Sequence, residues 1–291
     1  MTELQTKTLT LAHSPDADDA FMFYALAKGQ VDTGGLRFEH VLADIETLNQ
    51  KARAGAYDVT AVSFHAYAYL HQQYALLRAG SSFGDGCGPL VVARPNAIGA
   101  GKGSGLKAED LRGKKVAIPG KLTSAYLLLK LFAGDFVAEP APFDQIPAAV
   151  RDGKADAGLV IHEGQLTYAA SGLVPVLDLG RWWKQETGLP VPLGGLAVRR
   201  ALEPALIQRI SDAVGASIRF ALDHRADALD YALQFGRGVP RELGDRFVGM
   251  YVNQWTLDAG PDGLRSIQLL LDRARAAGLI PAPVVVELAP A

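Results

Sequence analysis

A histidine and a carboxylate directly follow an apolar run at Gly158–Glu163, which reads Gly-Leu-Val-Ile-His-Glu. A helical pattern over Phe143–Arg151 and the breaker Asp152-Gly153 precede this run, so the sequence predicts a buried strand with His162 at its carboxyl end. Ligands bind at the carboxyl ends of strands in open α/β sheets. An imidazole titrates near neutrality and can accept a proton, although a core histidine bonded to a backbone carbonyl has the same local pattern. His162 is therefore a candidate general base.

A second candidate site is the start of a helix that could bind an anion. The strand pattern at Lys115–Ile118 leads through Pro119-Gly-Lys-Leu122 to a helix that begins near Thr123 and Ser124. Free amides and the positive end of the helix dipole at such a terminus bind carboxylates. We expect Thr123, Ser124 and Ala125 to hold an organic acid, although an ordinary N-cap explains the same residues.

Three acidic residues, Asp16, Asp18 and Asp19, follow Ser14-Pro15 at the start of another helical pattern. Their spacing matches no calcium loop, and capping of the helix accounts for them, so no metal is expected. Since their charges would repel an acid, we expect them to contact the neutral, hydroxyl-bearing end of a ligand.

Two segments of the chain share one pattern. Residues 44–63 and 143–162 each read as a helix, a Gly-x-x-Asp break and an apolar strand that ends on a polar side chain. Ser63 ends the first strand as His162 ends the second, which makes Ser63 a candidate ligand contact. The repeated pattern predicts two α/β lobes of similar architecture.

Two further strand patterns connect the lobes. Leu90–Arg94 leads from the first lobe to the second, and Gly195–Arg199 leads back. The expected first lobe is discontinuous, with residues 1–93 and 197–291, and the second lobe, residues 94–196, is inserted into it. An α/β protein with two lobes and two crossing strands is typical of periplasmic-binding-protein type II-like folds. That fold permits hinge closure around a small ligand and is compatible with either transport or catalysis.

The composition excludes several classes of partner. With 291 residues, 49% hydrophobic, 21% charged and a net charge of −2, the chain has a substantial core and no basic field for nucleic acid. No segment approaches the roughly 18 apolar residues of a membrane span, and no signal peptide is recognised, so we expect a cytoplasmic protein without membrane contact.

Gly99–Gly105 lacks the Gly-Lys-Ser/Thr ending of a phosphate loop, so no cofactor is expected. No Gly-x-Ser-x-Gly elbow occurs either, which argues against a serine hydrolase.

Several separated segments together resemble the menaquinone-biosynthesis family of the futalosine route. They are Ser14–Leu26, Asp44–Asn49, Gly88–Val92, Gly158–Glu163, Asp178–Trp183, Gly188–Gly194 and Tyr251–Asn253. The resemblance runs in order over nearly the whole chain. One departure is Asp18, because many relatives have an amide side chain at this position.

The resemblance implies a lyase that converts cyclic dehypoxanthine futalosine, a small-molecule carboxylate, to 1,4-dihydroxy-6-naphthoate, with His162 as proton acceptor. It also implies a set of substrate contacts: Ser14, Asp18, Ala61, Val62, Ser63, Gly88, Thr123, Ser124 and Ala125. Two alternatives stay open. They are the chorismate dehydratase of the same route and a solute-binding protein without catalytic activity.

Overall fold

The strands form two separate sheets in a computed structural model of the chain. The structure describes residues 7–95, 97–98, 107–236 and 238–289, so the Gly99–Gly105 segment lies outside the described residues. The strands are β1 (Lys7–His13), β2 (Leu36–Leu42), β3 (Val59–Ser63), β4 (Tyr74–Leu76), β5 (Ser82–Gly84), β6 (Leu90–Ala93), β7 (Lys115–Ile118), β8 (Val137–Pro140), β9 (Ala157–Val160), β10 (Val174–Asp178) and β11 (Val191–Arg199).

The helices cover both sheets. They are α1 (Ala17–Met22), α2 (Tyr24–Ala27), α3 (Ile45–Arg53), α4 (Phe64–Leu70), α5 (Ser124–Ala133), α6 (Ile146–Arg151), α7 (Gly164–Thr167), α8 (Leu179–Thr187), α9 (Pro204–Asp223), α10 (Arg225–Ala232), α11 (Arg241–Tyr251), α12 (Gln254–Leu257) and α13 (Gly260–Ala276). Short 3₁₀ turns occur at Ala108–Leu111, Phe143–Gln145 and Tyr168–Ser171. Within the described ranges, no helix combines the length and the apolar character that a membrane crossing requires.

The two sheets repeat one strand order, as the duplicated sequence pattern predicts. In the first sheet the order is β2-β1-β3-β11-β4, with β5 paired to β11, and β1 runs parallel to both β2 and β3. In the second sheet the order is β10-β6-β9-β7-β8, and β7 runs parallel to both β8 and β9. β3 and β9 therefore hold equivalent positions, and their carboxyl ends, at Ser63 and Val160, are equivalent sites.

The crossing strands require a correction to the expected lobe boundaries. Residues 90–93, which the sequence-based division gives to the first lobe, form β6 and pair antiparallel with β9 and β10 of the second sheet. Residues 191–196, which it gives to the second lobe, lie in β11 and pair with β3 and β5 of the first sheet. Each sheet thus includes an antiparallel strand that follows the other lobe in sequence, and this strand lies one position in from the edge of the sheet. A local apolar pattern cannot identify the sheet that such a strand joins.

Side chains of α8 and α13 join the second lobe to the C-terminal helices. The indole of Trp183 is fully buried, and its Nε1 donates to Ser266 Oγ at 3.0 Å. Ser266 Oγ in turn donates to the carbonyl of Pro190 at 2.7 Å, just before β11. This chain of bonds satisfies the polar atoms of a large buried aromatic side chain and fixes α8 beside the returning crossing.

Two glycines permit a close backbone contact where the chain first enters the second lobe. A Cβ on Gly180 would lie 2.0 Å from the carbonyl oxygen of Cys87, and a Cβ on Gly88 would lie 2.7 Å from the amide nitrogen of Gly180. Both distances are far below van der Waals contact, and backbone atoms cannot move aside as a side chain can. Glycine is therefore required at both positions by packing.

We predict that Gly180→Ala destabilises the protein by about 1–3 kcal/mol through overpacking. Gly249→Ala is the matched control, because Gly249 lies within α11 and its Cβ would meet only the tip of Arg225, at 3.6 Å. That variant should gain about 0.5–1 kcal/mol from helix propensity. Urea unfolding measures both changes. Equal effects of the two substitutions would show that the contact between Gly88 and Gly180 is not tight.

Candidate active site

A cavity between the two lobes contains nearly all of the candidate ligand contacts. The empty space between its walls, including the part open to solvent, is about 760 Å³. The candidates that line it are Ser14, Asp18, Ala61, Val62, Ser63, Thr123, Ser124, Ala125 and His162. Gly88 is the exception. It lines an adjacent groove, because its backbone packs against Gly180 instead of facing the cavity.

His162 enters this cavity through an unusual backbone conformation. It lies just beyond β9 and has a φ of 51°, which among the described residues is found at no other non-glycine residue. A left-handed conformation is uncommon outside glycine and clusters at functional sites, where the surrounding structure must stabilise it. The imidazole packs edge-on against Phe143, with ring centroids 4.9 Å apart, and 15% of the side chain is exposed. The sharp turn after β9 thus directs the ring toward the first lobe.

A carboxylate from the first lobe holds this imidazole. Asp16 Oδ2 lies 2.8 Å from His162 Nδ1, and Asp16 is also the N-cap of α1, where it accepts from the amide of Asp19 at 3.3 Å. Burial opposes protonation of the ring, but the charge of Asp16 and its hydrogen bond outweigh burial and raise the pKa of His162. Burial also opposes ionisation of Asp16, yet the charge of His162 lowers the pKa of that carboxyl. With Nδ1 bonded to Asp16, Nε2 is the ring nitrogen left for a ligand.

Two more carboxylates complete an acidic cluster around this pair. Asp19 Oδ2 accepts from the amide of Ser14 at 2.8 Å, and Glu163 Oε1 accepts from the amide of Ala17 at 3.3 Å. Glu163 therefore also joins the lobes. Burial, followed by the charge of Asp16, raises the pKa of Asp19 well above its usual value.

The same cluster offers atoms that a cation could use. One ligand atom each from Asp16, Asp18 and His162 lies within 4.8 Å of the other two. His162 Nδ1 is hydrogen-bonded to Asp16 and has no lone pair free for a metal, so Nε2 is the nitrogen that could bind one.

The start of α5 provides donors on the opposite wall. Thr123 is the N-cap and accepts from the amide of Tyr126 at 3.2 Å, while its own hydroxyl donates to the carbonyl of Gly120 at 2.8 Å. Ser124 Oγ accepts from the amide of His65 at 3.3 Å. The two hydroxyl groups are thus used within the protein. The first-turn amides of Ser124 and Ala125, which have no intrahelical partner, are the groups suited to a carboxylate.

Asn49 lies beside the site, but the sequence analysis did not identify it as a site residue. Its side chain is fully buried, accepts from the amide of Ser63 at 2.9 Å and donates to Ser63 Oγ at 3.1 Å. It also reaches the carbonyl of Leu122 in the other lobe at 3.5 Å. The available signal was its place at the end of the Asp44–Asn49 segment, which is one of the segments that carry the family resemblance.

Further hydrogen bonds hold the lobes together around the cavity. The amide of Leu122 donates to Glu46 Oε2 at 2.9 Å, and the hydroxyl of Tyr251 donates to Gln165 Oε1 at 2.6 Å. Gln165 and Tyr251 both line the cavity and are buried. These hydrogen bonds join the two lobes directly beside the cavity.

The other buried histidines near the site do not line the cavity. Burial lowers the pKa of His13 to about 4, with His40 adding to this effect. His13 Nδ1 lies 3.0 Å from the carbonyl of Ser14, and Nε2 lies 3.0 Å from His40 Nδ1. Burial also lowers the pKa of His65 to about 4. Both rings are therefore neutral packing residues at neutral pH.

Comparisons with known proteins agree on one family. A family model described as "Menaquinone biosynthesis" matches residues 9–276. The 1,4-dihydroxy-6-naphtoate synthase of Streptomyces coelicolor is 41% identical over 285 residues, which are 96% of this chain and 97% of that protein. The protein of the same name from Thermus thermophilus is 42% identical over 273 residues, covering 94% of this chain and 96% of the relative.

Solved structures show the same fold. The sequence of an Archaeoglobus fulgidus protein with a crystal structure is 46% identical. The two structures superpose with a TM-score of 0.88 over 95% of this chain and 100% of that chain. The alkanesulfonate-binding protein SsuA of Xanthomonas axonopodis pv. citri, bound to MOPS, is 15% identical, with a TM-score of 0.70 over 96% of each chain. At that identity the likeness establishes the fold alone, which is the expected bilobed type of periplasmic binding proteins.

The lowered pKa of His65 predicts a loss of stability in acid. Its value is about 4 in the folded protein against 6.5 in a model peptide, so the neutral ring contributes stability above pH 6.5 that is lost as pH falls toward 4. The full linkage is worth roughly 3–3.5 kcal/mol. Unfolding free energies measured from pH 7 to pH 4 should fall less steeply in His65→Gln than in the wild type. His224→Gln, at an exposed histidine, is the control and should keep the wild-type slope; an unchanged slope in His65→Gln would contradict the prediction.

Proposed function

Since the chain belongs to the menaquinone biosynthesis family, we propose that it converts cyclic dehypoxanthine futalosine to 1,4-dihydroxy-6-naphthoate, with His162 as the general base. The observation that carries this proposal is the position of the imidazole. It faces a closed cavity, its Nδ1 is bonded to a carboxylate, and the amides at the start of a helix line the same cavity.

The substrate carboxylate is assigned to the start of α5. The amides of Ser124 and Ala125 and the helix dipole would stabilise its charge there. The acidic cluster on the other side of the cavity would repel an acid group, which supports one orientation of the ligand over its reverse. Ser14 and the end of β3, at Ala61, Val62 and Ser63, would contact the body of the substrate.

The chemistry then requires one proton transfer to begin. His162 Nε2 would remove the proton of a substrate hydroxyl group, and the oxygen would form a carbonyl as the neighbouring carbon–carbon bond breaks in a retro-aldol sense. The sugar-derived fragment would leave with this new carbonyl, and the electron pair of the broken bond would pass to the carbonyl of the ring that is kept, whose enolate oxygen would take up the proton held by His162. Loss of a ring proton would then complete the second aromatic ring. Aromatisation provides the driving force, so the protein supplies a base, an orientation and an environment without bulk water.

Asp16 would act as a positioning residue for this base. A carboxylate on Nδ1 selects the tautomer in which Nε2 has the free lone pair, and it stabilises the imidazolium that forms when the proton arrives. Because Asp16 belongs to the first lobe and His162 to the second, closure of the lobes around substrate would complete the pair. We accordingly propose a hinge motion that opens the cavity for entry and closes it for reaction. Both substrate and product are small polar molecules, which fits an enzyme of the cytoplasm.

The proposal is tested by assaying the purified protein with cyclic dehypoxanthine futalosine and, separately, with chorismate. We expect 1,4-dihydroxy-6-naphthoate from the first substrate and no dehydration of the second. His162→Ala should lose about 10²–10⁴ in kcat, because that is the usual contribution of a positioned base.

The matched control for this assay is His224→Ala, since His224 is an exposed histidine at the end of α9. It should keep the wild-type kcat, and circular dichroism should show both variants folded. Turnover of chorismate would assign the dehydratase activity instead. Tight binding of either compound without turnover would favour a solute-binding protein, and full activity in folded His162→Ala would remove His162 from the mechanism.

A further inference from the structure

Asp18 has a buried carboxyl oxygen for which the described residues supply no hydrogen-bond donor. The residue is only 9% exposed, it lines the interlobe cavity, and its Oδ1 has no partner. An ionised carboxylate in this position would leave a buried acceptor unsatisfied, which costs more than a normal hydrogen bond contributes. The proposed mechanism makes no use of this group.

The surroundings of Asp18 are strongly acidic. Asp16 and Asp19 face it from its own segment, and Glu163 and His162 face it from the second lobe. From α11 comes the hydroxyl of Tyr251, whose own pKa is raised by burial and, among other charges, by that of Asp18. The four carboxyl groups thus face a single imidazole. Full ionisation of all four in a buried cluster is unfavourable, and a shared proton relieves it.

The proton can be assigned to Asp18 because of its contact with Asp16. One carboxyl oxygen of Asp18 lies within 4.8 Å of a carboxyl oxygen of Asp16, and two buried carboxylates this close repel each other unless one of them carries a proton. Asp16 is held in its ionised form by His162 Nδ1 at 2.8 Å and by the amide of Asp19. Burial, then the charges of Asp16 and Asp19, raises the pKa of Asp18 well above its usual value. Asp18 is therefore the residue that keeps the proton.

We propose that Asp18 is a neutral carboxylic acid when the lobes are closed, donating its proton to Asp16 and offering its remaining oxygen to a hydroxyl group of the substrate. The identity of that substrate rests on the function proposed above, in which one end of the ligand is a sugar. A neutral acid presents an acceptor to this end without adding a fourth negative charge to the cavity. Asp18 is then a specificity residue for the hydroxyl-bearing part of the substrate.

A bound divalent cation is the competing explanation for a cluster of this charge. It would require an ionised Asp18 and, since His162 Nδ1 is bonded to Asp16, the lone pair of His162 Nε2. The two explanations predict opposite effects of the neutral isostere Asp18→Asn. Its amide donates to Asp16 and keeps an acceptor oxygen, so it replaces a neutral acid but not a carboxylate ligand.

Infrared spectroscopy of the ligand-free protein tests the protonation state without any assay. We expect the carbonyl band of a protonated carboxylic acid at neutral pH in the wild type, its loss in Asp18→Asn and its retention in Asp262→Asn. Asp262 is the matched control because it is an exposed carboxylate on α13. Absence of the band from the wild type, or its persistence in Asp18→Asn, would overturn the proposal whether or not the protein is the proposed lyase.

Kinetics with cyclic dehypoxanthine futalosine test the hydroxyl contact. Asp18→Ala should raise KM roughly 10- to 30-fold with a smaller effect on kcat, which corresponds to the loss of a hydrogen bond to the ligand. Asp18→Asn should restore kcat/KM to within about threefold of the wild type. Equal damage in the two variants, or loss of wild-type activity to a chelator with recovery on adding Mn²⁺ or Zn²⁺, would contradict a neutral acid. If the wild type turns over no substrate while the infrared result holds, the proposed function fails and the protonation state stands.

Discussion

The hydrogen bond between Asp16 and His162 connects the two halves of the molecule at the point where chemistry would occur. Each partner comes from a different lobe and is set by a local constraint. Asp16 is fixed as the N-cap of α1, and His162 is turned out of its strand by a left-handed backbone conformation. Neither constraint alone produces a base with a defined tautomer. Their pairing joins the two lobes, so under the proposed hinge motion the same interaction would link the conformation of the protein to the reactivity of the imidazole.

The distribution of charge in the cavity follows from this pair. The imidazole compensates one carboxylate, and Glu163 and Asp19 are compensated by backbone amides at the start of α1. Among the described residues none donates to Asp18 Oδ1, and a retained proton on Asp18 accounts for this. At the opposite wall the amides of α5 provide a positive end for an acid. A ligand with a carboxylate at one end and hydroxyl groups at the other would match this polarity, as the proposed substrate does.

Much of the site could be predicted from sequence because its parts are local. The strand before His162, the N-cap at Thr123 and the repeated helix–strand pattern each depend on residues within about one element, and the structure places them as expected. The pairing of Asp16 with His162 could not be predicted, since it joins residues far apart in sequence through the packing of two lobes. The same reason explains the corrected boundary at residues 90–93, where the choice of sheet depends on which strand is adjacent. Asn49 could not be identified for a different reason. A buried side-chain amide that bonds to distant parts of the chain has no characteristic spacing in the sequence.

The titration of His162 by NMR spectroscopy tests the central claim most directly. The signals of its ring protons, assigned by comparison with His162→Gln, can be followed against pH in the wild type and in Asp16→Asn. The account predicts a pKa above the ordinary value of 6.5 in the wild type and a lower pKa once the carboxylate has become an amide. The same pKa in both proteins would show that Asp16 does not hold the imidazole, and the proposal that lobe closure completes the base would then be abandoned.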